Sequence, residues 1–139
     1  MDLLHVSSPP RSVLTLLRLE GAAVLASMLV AYQALGGNWW LFALLFFTPD
    51  LSMLGYLVGS RAGAIVYNTF HTYMAPALLA GAGLVTGAAW LLPIAAIWAA
   101  HIGGDRALGY GLKYPDGFGL THLGLIGPAR KEAARADAR

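Results

Sequence analysis

The chain has 139 residues, 58% of them hydrophobic and 12% charged, with a formal net charge of +2 and a mean hydropathy of +0.62. Soluble domains run at roughly 45–50% apolar and about 25% charged, so the composition excludes an ordinary soluble domain and points to one membrane-embedded unit. The small, dispersed positive charge argues against a nucleic-acid partner. The absence of cysteine excludes a disulfide framework, a thiolate metal site and a cysteine nucleophile, and leaves the redox compartment unread.

Residues 1–11 read as a short polar lead ending in Pro9-Pro10-Arg11, with no apolar core and small-residue cleavage site of the kind a removable signal peptide needs. A first span is expected from Val13 to Leu35, long enough to cross about 30 Å of hydrocarbon, although it carries Arg18 and Glu20. Gly36-Gly37-Asn38 is a turn signal, and Trp39-Trp40 behind it suit an interface. A second span, Trp39 to Val58, contains Pro49-Asp50, so a kink is expected there with a buried carboxylate beside it.

From Arg61 to Trp90 the apolar stretch is too long for one upright span. Its first part is amphipathic, with Tyr67, Asn68 and His71. Its second, Pro76 to Trp90, is rich in Gly and Ala, which suits close helix packing. One long helix kinked near Pro76, or an interfacial half-helix leading into a third span, is the expectation. A fourth span follows from Ile94 to Leu112. Tyr114 to Gly124 reads as a Gly/Pro-punctuated interfacial loop, and Ala129 to Arg139 as a solvated helix or disordered tail. The predicted fold is thus an all-α bundle of four transmembrane helices over residues 1–127, followed by a charged cytoplasmic tail, 128–139. Arg11, Arg18, Arg61, Arg106, Lys113 and the tail fall on one side, so the positive-inside rule puts both termini in the cytoplasm.

Depth brings the polar residues together. With spans centred near residues 24, 48, 76 and 102, Glu20 lies about 6 Å to the cytoplasmic side of the midplane, Asp50 about 2 Å, His71 about 7 Å and Asp105 about 5 Å, with His101 close to the centre. Ionisable groups in hydrocarbon cost at least about 2.5–3.5 kcal/mol each and are normally turned inward, paired and functional. His101 and Asp105, at i and i+4, share one helix face. Each residue also has a plain alternative: Glu20 pairs with Arg18, Asp50 caps a helical turn, His71 is a satisfied core histidine beside Tyr67 and Asn68, and His101 with Asp105 is a structural pair. Arg106 and Lys113 read as snorkelling cations and topology determinants, and Tyr110 and Tyr114 as interface aromatics. His122, in the loop, fits either an idle or a functional role.

Leu19-Glu20-Gly21, Thr48-Pro49-Asp50-Leu51-Ser52 with Gly55-Tyr56, Tyr67-Asn68 with His71 and Pro76, His101-Ile-Gly-Gly-Asp105-Arg106 with Gly109-Tyr110-Gly-Leu-Lys113-Tyr114, and Thr121-His122-Leu-Gly together resemble the domain-of-unknown-function family 4260. The resemblance runs from the first span to Gly124. It implies a small bacterial integral membrane protein of the inner membrane, and no activity.

Two functional classes remain at this stage. One is a membrane enzyme acting on a small or lipophilic substrate through Glu20, Asp50, His71, His101 and Asp105. These residues either hold a divalent metal such as zinc, iron or manganese or work without one as acid and base. The other is a non-catalytic accessory subunit of a larger membrane complex, or a homo-oligomer, contacting lipid, quinone or pigment. Haem on His71 and His101 is disfavoured by the nearby carboxylates. Proton or ion translocation is disfavoured because Ala77–Trp90 offers no relay.

Overall fold

A computed structural model describes residues 8–139, so positions 1–7 of the expected polar lead lie outside the described residues. Helix α1 spans Arg11–Ala34. It ends at Gly36, which adopts φ 71°, and Gly37 lies flat against the Tyr32 ring where a Cβ would collide with it. Asn38 then caps α2 (Trp39–Leu45), its Oδ1 accepting from the Trp40 and Leu41 amides at 2.8 and 3.3 Å. The Tyr32 hydroxyl closes the corner by donating to the Asn38 carbonyl at 2.6 Å.

Pro49 breaks the second apolar run, as expected. Lacking an N–H, it leaves the Leu45 carbonyl without its helical partner, and the Thr48 hydroxyl takes that carbonyl at 2.6 Å. Beyond the break the chain continues as a 3-10 helix, Thr48–Leu57, ten residues long where three or four are usual. It packs antiparallel to α3 (Ser60–His71) through Gly55 and Gly63; a Cβ on Gly55 would sit 3.0 Å from Val66 Cβ, and one on Gly63 would strike the Tyr56 ring.

The break expected near Pro76 falls four residues earlier. Thr72 is extended (φ −95°, ψ 144°) between α3 and α4 (Met74–Thr86). Pro76 could not accept Thr72 as its i−4 neighbour in a continuous helix without a clash. Helix α5 runs Leu91–Leu108. It meets α1 at glycine: a Cβ on Gly21 would lie 2.5 Å from Arg106 Cβ, and one on Gly103 would lie 2.8 Å from the Gly21 carbonyl oxygen. The small apolar core is built on Tyr32, Ala96 and Ile97, with Met28, Phe42, Leu45 and Phe46 packed around them.

The all-α expectation needs one correction. Where an interfacial loop is predicted, the chain forms an antiparallel sheet of three short strands, β1 (Lys113–Tyr114), β2 (Gly117–Thr121) and β3 (Gly124–Leu125). Strands of two, five and two residues are too short for alternation to register in the sequence. Helix α6 (Gly127–Asp137) follows, with no buried residue, and rests on β2 at Gly119 against Ala129.

Two helical runs, Arg11–Ala34 and Trp39–Leu57, are long and apolar enough to cross a membrane, and Met74–Thr86 is a shorter apolar helix. Both runs keep their apolar side chains outward: only 6% and 11% of their most hydropathic windows are buried. Trp40, Leu57, Val58 and Val85 are each more than four-fifths exposed. Soluble monomers rarely present so continuous an apolar surface.

A candidate metal centre

Three separate segments deliver four metal-ligating side chains to one point. Asp50 comes from the first turn of the 3-10 helix that Pro49 creates, and His71 is the last residue of α3. His101 and Asp105 come from consecutive turns of α5. The His71 and His101 Nε2 atoms are 3.2 Å apart. Asp50 Oδ1 lies 3.3 Å from both, and Asp105 Oδ2 lies 3.5 Å from both. All four donor atoms fall within 4.8 Å of one another.

Those separations have a natural scale. A tetrahedral zinc with N and O ligands at 2.0–2.1 Å requires ligand–ligand edges of about 3.3 Å, which is where the five measured separations cluster. The tautomer of His71 is set as well. Its Nδ1 is 2.9 Å from the Tyr67 carbonyl, which can only accept, so Nδ1 carries the proton and Nε2 turns a lone pair to the cluster. The Tyr67 ring stacks flat on the His71 imidazole, 3.7 Å between centroids and 9° between planes. The Tyr67 hydroxyl donates to Asp105 Oδ2 at 3.4 Å. Phe46 stands edge-on to His101, whose Nδ1 is buried without a partner among the described residues.

The centre is closed on one side and open on the other. His71 and His101 are 0% and 2% exposed, whereas the Asp50 side chain is 32% exposed and that of Asp105 17%. Access is therefore past the carboxylates, with Asp50 outermost.

The remaining predicted site residues divide. Glu20 is not in the cluster. It is exposed on α1 and lines a neighbouring cavity of about 450 Å³ with Tyr73, Arg106 and His122. Gly21 faces α5, and the adjacent position is turned about 100° around the helix. His122 is exposed, and its Nδ1 accepts the Leu112 amide at 2.8 Å. Partial burial and the nearby Arg106 charge hold its pKa below the usual histidine value. Arg106, expected to snorkel, is buried; its guanidinium donates to the carbonyls of His71 at 2.7 Å and Tyr110 at 2.8 Å, fixing the end of α3. The Tyr110 side chain itself is 45% exposed. Asn68 clamps β1: its Nδ2 donates to the Lys113 carbonyl at 2.8 Å and its Oδ1 accepts the Lys113 amide at 2.7 Å.

Lys113 is the residue that sequence reasoning passed over. Read as a surface cation, it is 4% exposed, with Nζ 4.0 Å from the Phe118 ring centroid and 5.1 Å from that of Tyr67. Burial drives its pKa down to about 8. A lysine at the end of a hydrophobic run carries no sequence signal that distinguishes this arrangement from snorkelling.

Residues 14–126 match the family described as a domain of unknown function (DUF4260), and the chain belongs to that family. No curated protein and no solved structure matches it.

Proposed function

We propose that this member of the DUF4260 family is a membrane-embedded metalloenzyme. In this reading Asp50, His71, His101 and Asp105 hold a zinc-class divalent cation, and the chemistry is hydrolytic, on a small or lipophilic substrate that enters past Asp50. The observation that carries the proposal is the convergence of two imidazole nitrogens and two carboxylate oxygens, all within 4.8 Å of one another and with each nitrogen 3.2–3.5 Å from the other three atoms. A divalent cation placed among them would satisfy both nitrogens and both carboxylates at once.

The membrane reading rests on the outward apolar faces of α1 and the Trp39–Leu57 run. Two further crossings complete a four-span bundle, one made by α3 and α4 together and one by α5. The hydrogen bond from Ser60 Oγ to the Pro115 carbonyl ties the start of α3 to the sheet, on the side where α5 ends. The basic residues Arg11, Arg18 and Arg61 then mark the cytoplasmic face.

A zinc-class ion held by Asp50, His71, His101 and Asp105 would supply Lewis-acid activation of water and of an ester oxygen. The two buried histidines serve as anchors. Asp50, the outermost ligand, is the one that can loosen and take a proton from an incoming nucleophile. A second reading is favoured by one feature: four protein donors saturate a tetrahedral ion, as structural sites do. In that case the metal pins the 3-10 helix, α3 and α5 together within a non-catalytic subunit.

The two readings separate on purified protein. The wild type and the His101→Ala/Asp105→Ala variant are assayed in mild detergent for bound metal and for hydrolysis of chromogenic phosphate and carboxylate esters. The enzyme reading expects about one metal per chain and an activity lost with the metal in a chain that remains folded. Stoichiometric metal with no hydrolysis, and unfolding on chelation, would favour the structural pin. No metal in a folded wild type would sink both.

A further inference from the structure

Resting on the metal-centre reading, we infer that Lys113 is the anion-binding residue of this site and that its ligand is a phosphate ester, free or on a lipid head group. Four observations lead there. The Lys113 side chain is 4% exposed, yet its ammonium makes no hydrogen bond or ion pair among the described residues; its neighbours are the faces of Phe118 and Tyr67. Among the described residues, only the Tyr56 hydroxyl and His101 Nδ1 are polar side-chain atoms sealed from solvent without a partner. Lys113 Nζ, equally without a partner, therefore still reaches the surface.

The position is also held. Asn68 clamps both backbone groups of Lys113, and Asn68 lies on α3 between Tyr67 and His71. The helix that supplies a metal ligand thus fixes the lysine as well. Finally, one residue links the cation to the centre: the Tyr67 ring centroid lies 5.1 Å from Lys113 Nζ and its hydroxyl donates to Asp105 Oδ2 at 3.4 Å. Asp105 is the foremost charge acting on the ammonium.

A buried, desolvated cation with free N–H groups is costly unless a ligand completes it. The complement is an oxyanion with several acceptor oxygens, and phosphate, with up to four, would suit a lone ammonium best. Aromatic faces on two sides leave the ammonium only that direction for a partner.

The test uses zinc-loaded full-length protein in detergent, with zinc content measured on every sample. Inorganic phosphate and a short-chain phosphatidic acid are titrated into wild type, Lys113→Met and Lys113→Arg. The wild type should bind phosphate. Methionine, which keeps the packing against both rings, should weaken binding at least tenfold with zinc retained, and arginine should restore much of it. A preference of tenfold or more for the lipid assigns a head group; equal binding assigns a free ester. Either preference supports the inference. Unchanged phosphate affinity in Lys113→Met, or no phosphate binding by zinc-loaded wild type, overturns it while leaving the metal centre intact. If the methionine variant does not fold, acetylation of the wild type decides: phosphate should protect Lys113 from acetic anhydride, and equal labelling with and without phosphate overturns the inference. Absence of zinc from the wild type instead defeats the underlying metal reading.

Discussion

The Nε2 atoms of His71 and His101 face each other across 3.2 Å, and His71 reaches that point with its other nitrogen already committed to the Tyr67 carbonyl. Two imidazole nitrogens facing two carboxylate oxygens form a donor set that a divalent cation would draw together.

The outer contacts of that centre are testable first at Tyr67. Its hydroxyl donates to Asp105 Oδ2 at 3.4 Å while its ring covers His71. Tyr67→Phe removes the hydroxyl and keeps the ring. Zinc affinity, read by competition with a chromogenic chelator, should fall about tenfold, the low end for an outer partner of a metal ligand. An unchanged affinity would show that the long hydrogen bond does not orient Asp105.

Arg106 supports the same centre from behind. Its guanidinium satisfies the His71 and Tyr110 carbonyls with two N–H groups of one fork. Arg106→Met leaves both carbonyls unpaired in a buried site and should cost about 2–4 kcal/mol, read as a lowered unfolding midpoint in detergent. Lysine, with a point charge in place of a fork, should rescue little of it. Full rescue by Arg106→Lys would mean that charge rather than geometry is what the site requires.

The α1–α5 seam is the third target. A methyl on Gly21 would meet the Arg106 Cβ at 2.5 Å, and one on Gly103 would meet the Gly21 carbonyl oxygen and the Leu25 amide nitrogen, each at 2.8 Å. Backbone atoms cannot step aside as a flexible side chain can. Gly103→Ala should therefore destabilise the protein by about 1–3 kcal/mol and lower zinc affinity, because α5 carries two of the ligands. Gly81→Ala, with open space around it, serves as the control and should do neither.

Lys113 gives a pH signature. Burial lowers its pKa to about 8 from 10.5, against the opposing pull of Asp105 and with Arg106 adding to the decrease; Tyr67 and Phe118 enclose it. Well below pH 8 both folded and unfolded chains hold the proton. Between about 8 and 10.5 the unfolded chain holds a proton that the folded one has released, so the lysine's contribution to stability rises with pH across that window. The difference in unfolding midpoint between wild type and Lys113→Met, measured in detergent without phosphate, should shift in favour of the wild type from pH 7.5 to pH 10. A difference that stays constant would place the lysine in an ordinary solvated state.

Much of this is legible in the sequence. Pro49 and Pro76 flagged both helix breaks because a missing N–H and a ring clash act locally. Asp50, His71, His101 and Asp105 were grouped by depth along the membrane normal, a coordinate that residue counting supplies. Depth says nothing of azimuth, which is why Glu20 joined the same slab although its side chain is turned away from the seam that Gly21 makes with α5. Arg106 and Lys113 read as surface cations because one partner of each, the His71 carbonyl and the Tyr67 ring, comes from α3, a segment that adjacency in the sequence does not bring to them. The sheet was missed for the same reason: its strands are held by pairing and by the Asn68 clamp more than by any local pattern.

The most direct test of the central claim is X-ray absorption at the zinc edge on the detergent-purified, zinc-loaded protein. The four-residue centre predicts about four N/O neighbours at roughly 2.0–2.1 Å, with the outer-shell scattering of two imidazole rings that disappears in the His71→Ala/His101→Ala variant. A spectrum of hydrated zinc without imidazole scattering, or one that the double substitution leaves unaltered, would contradict it.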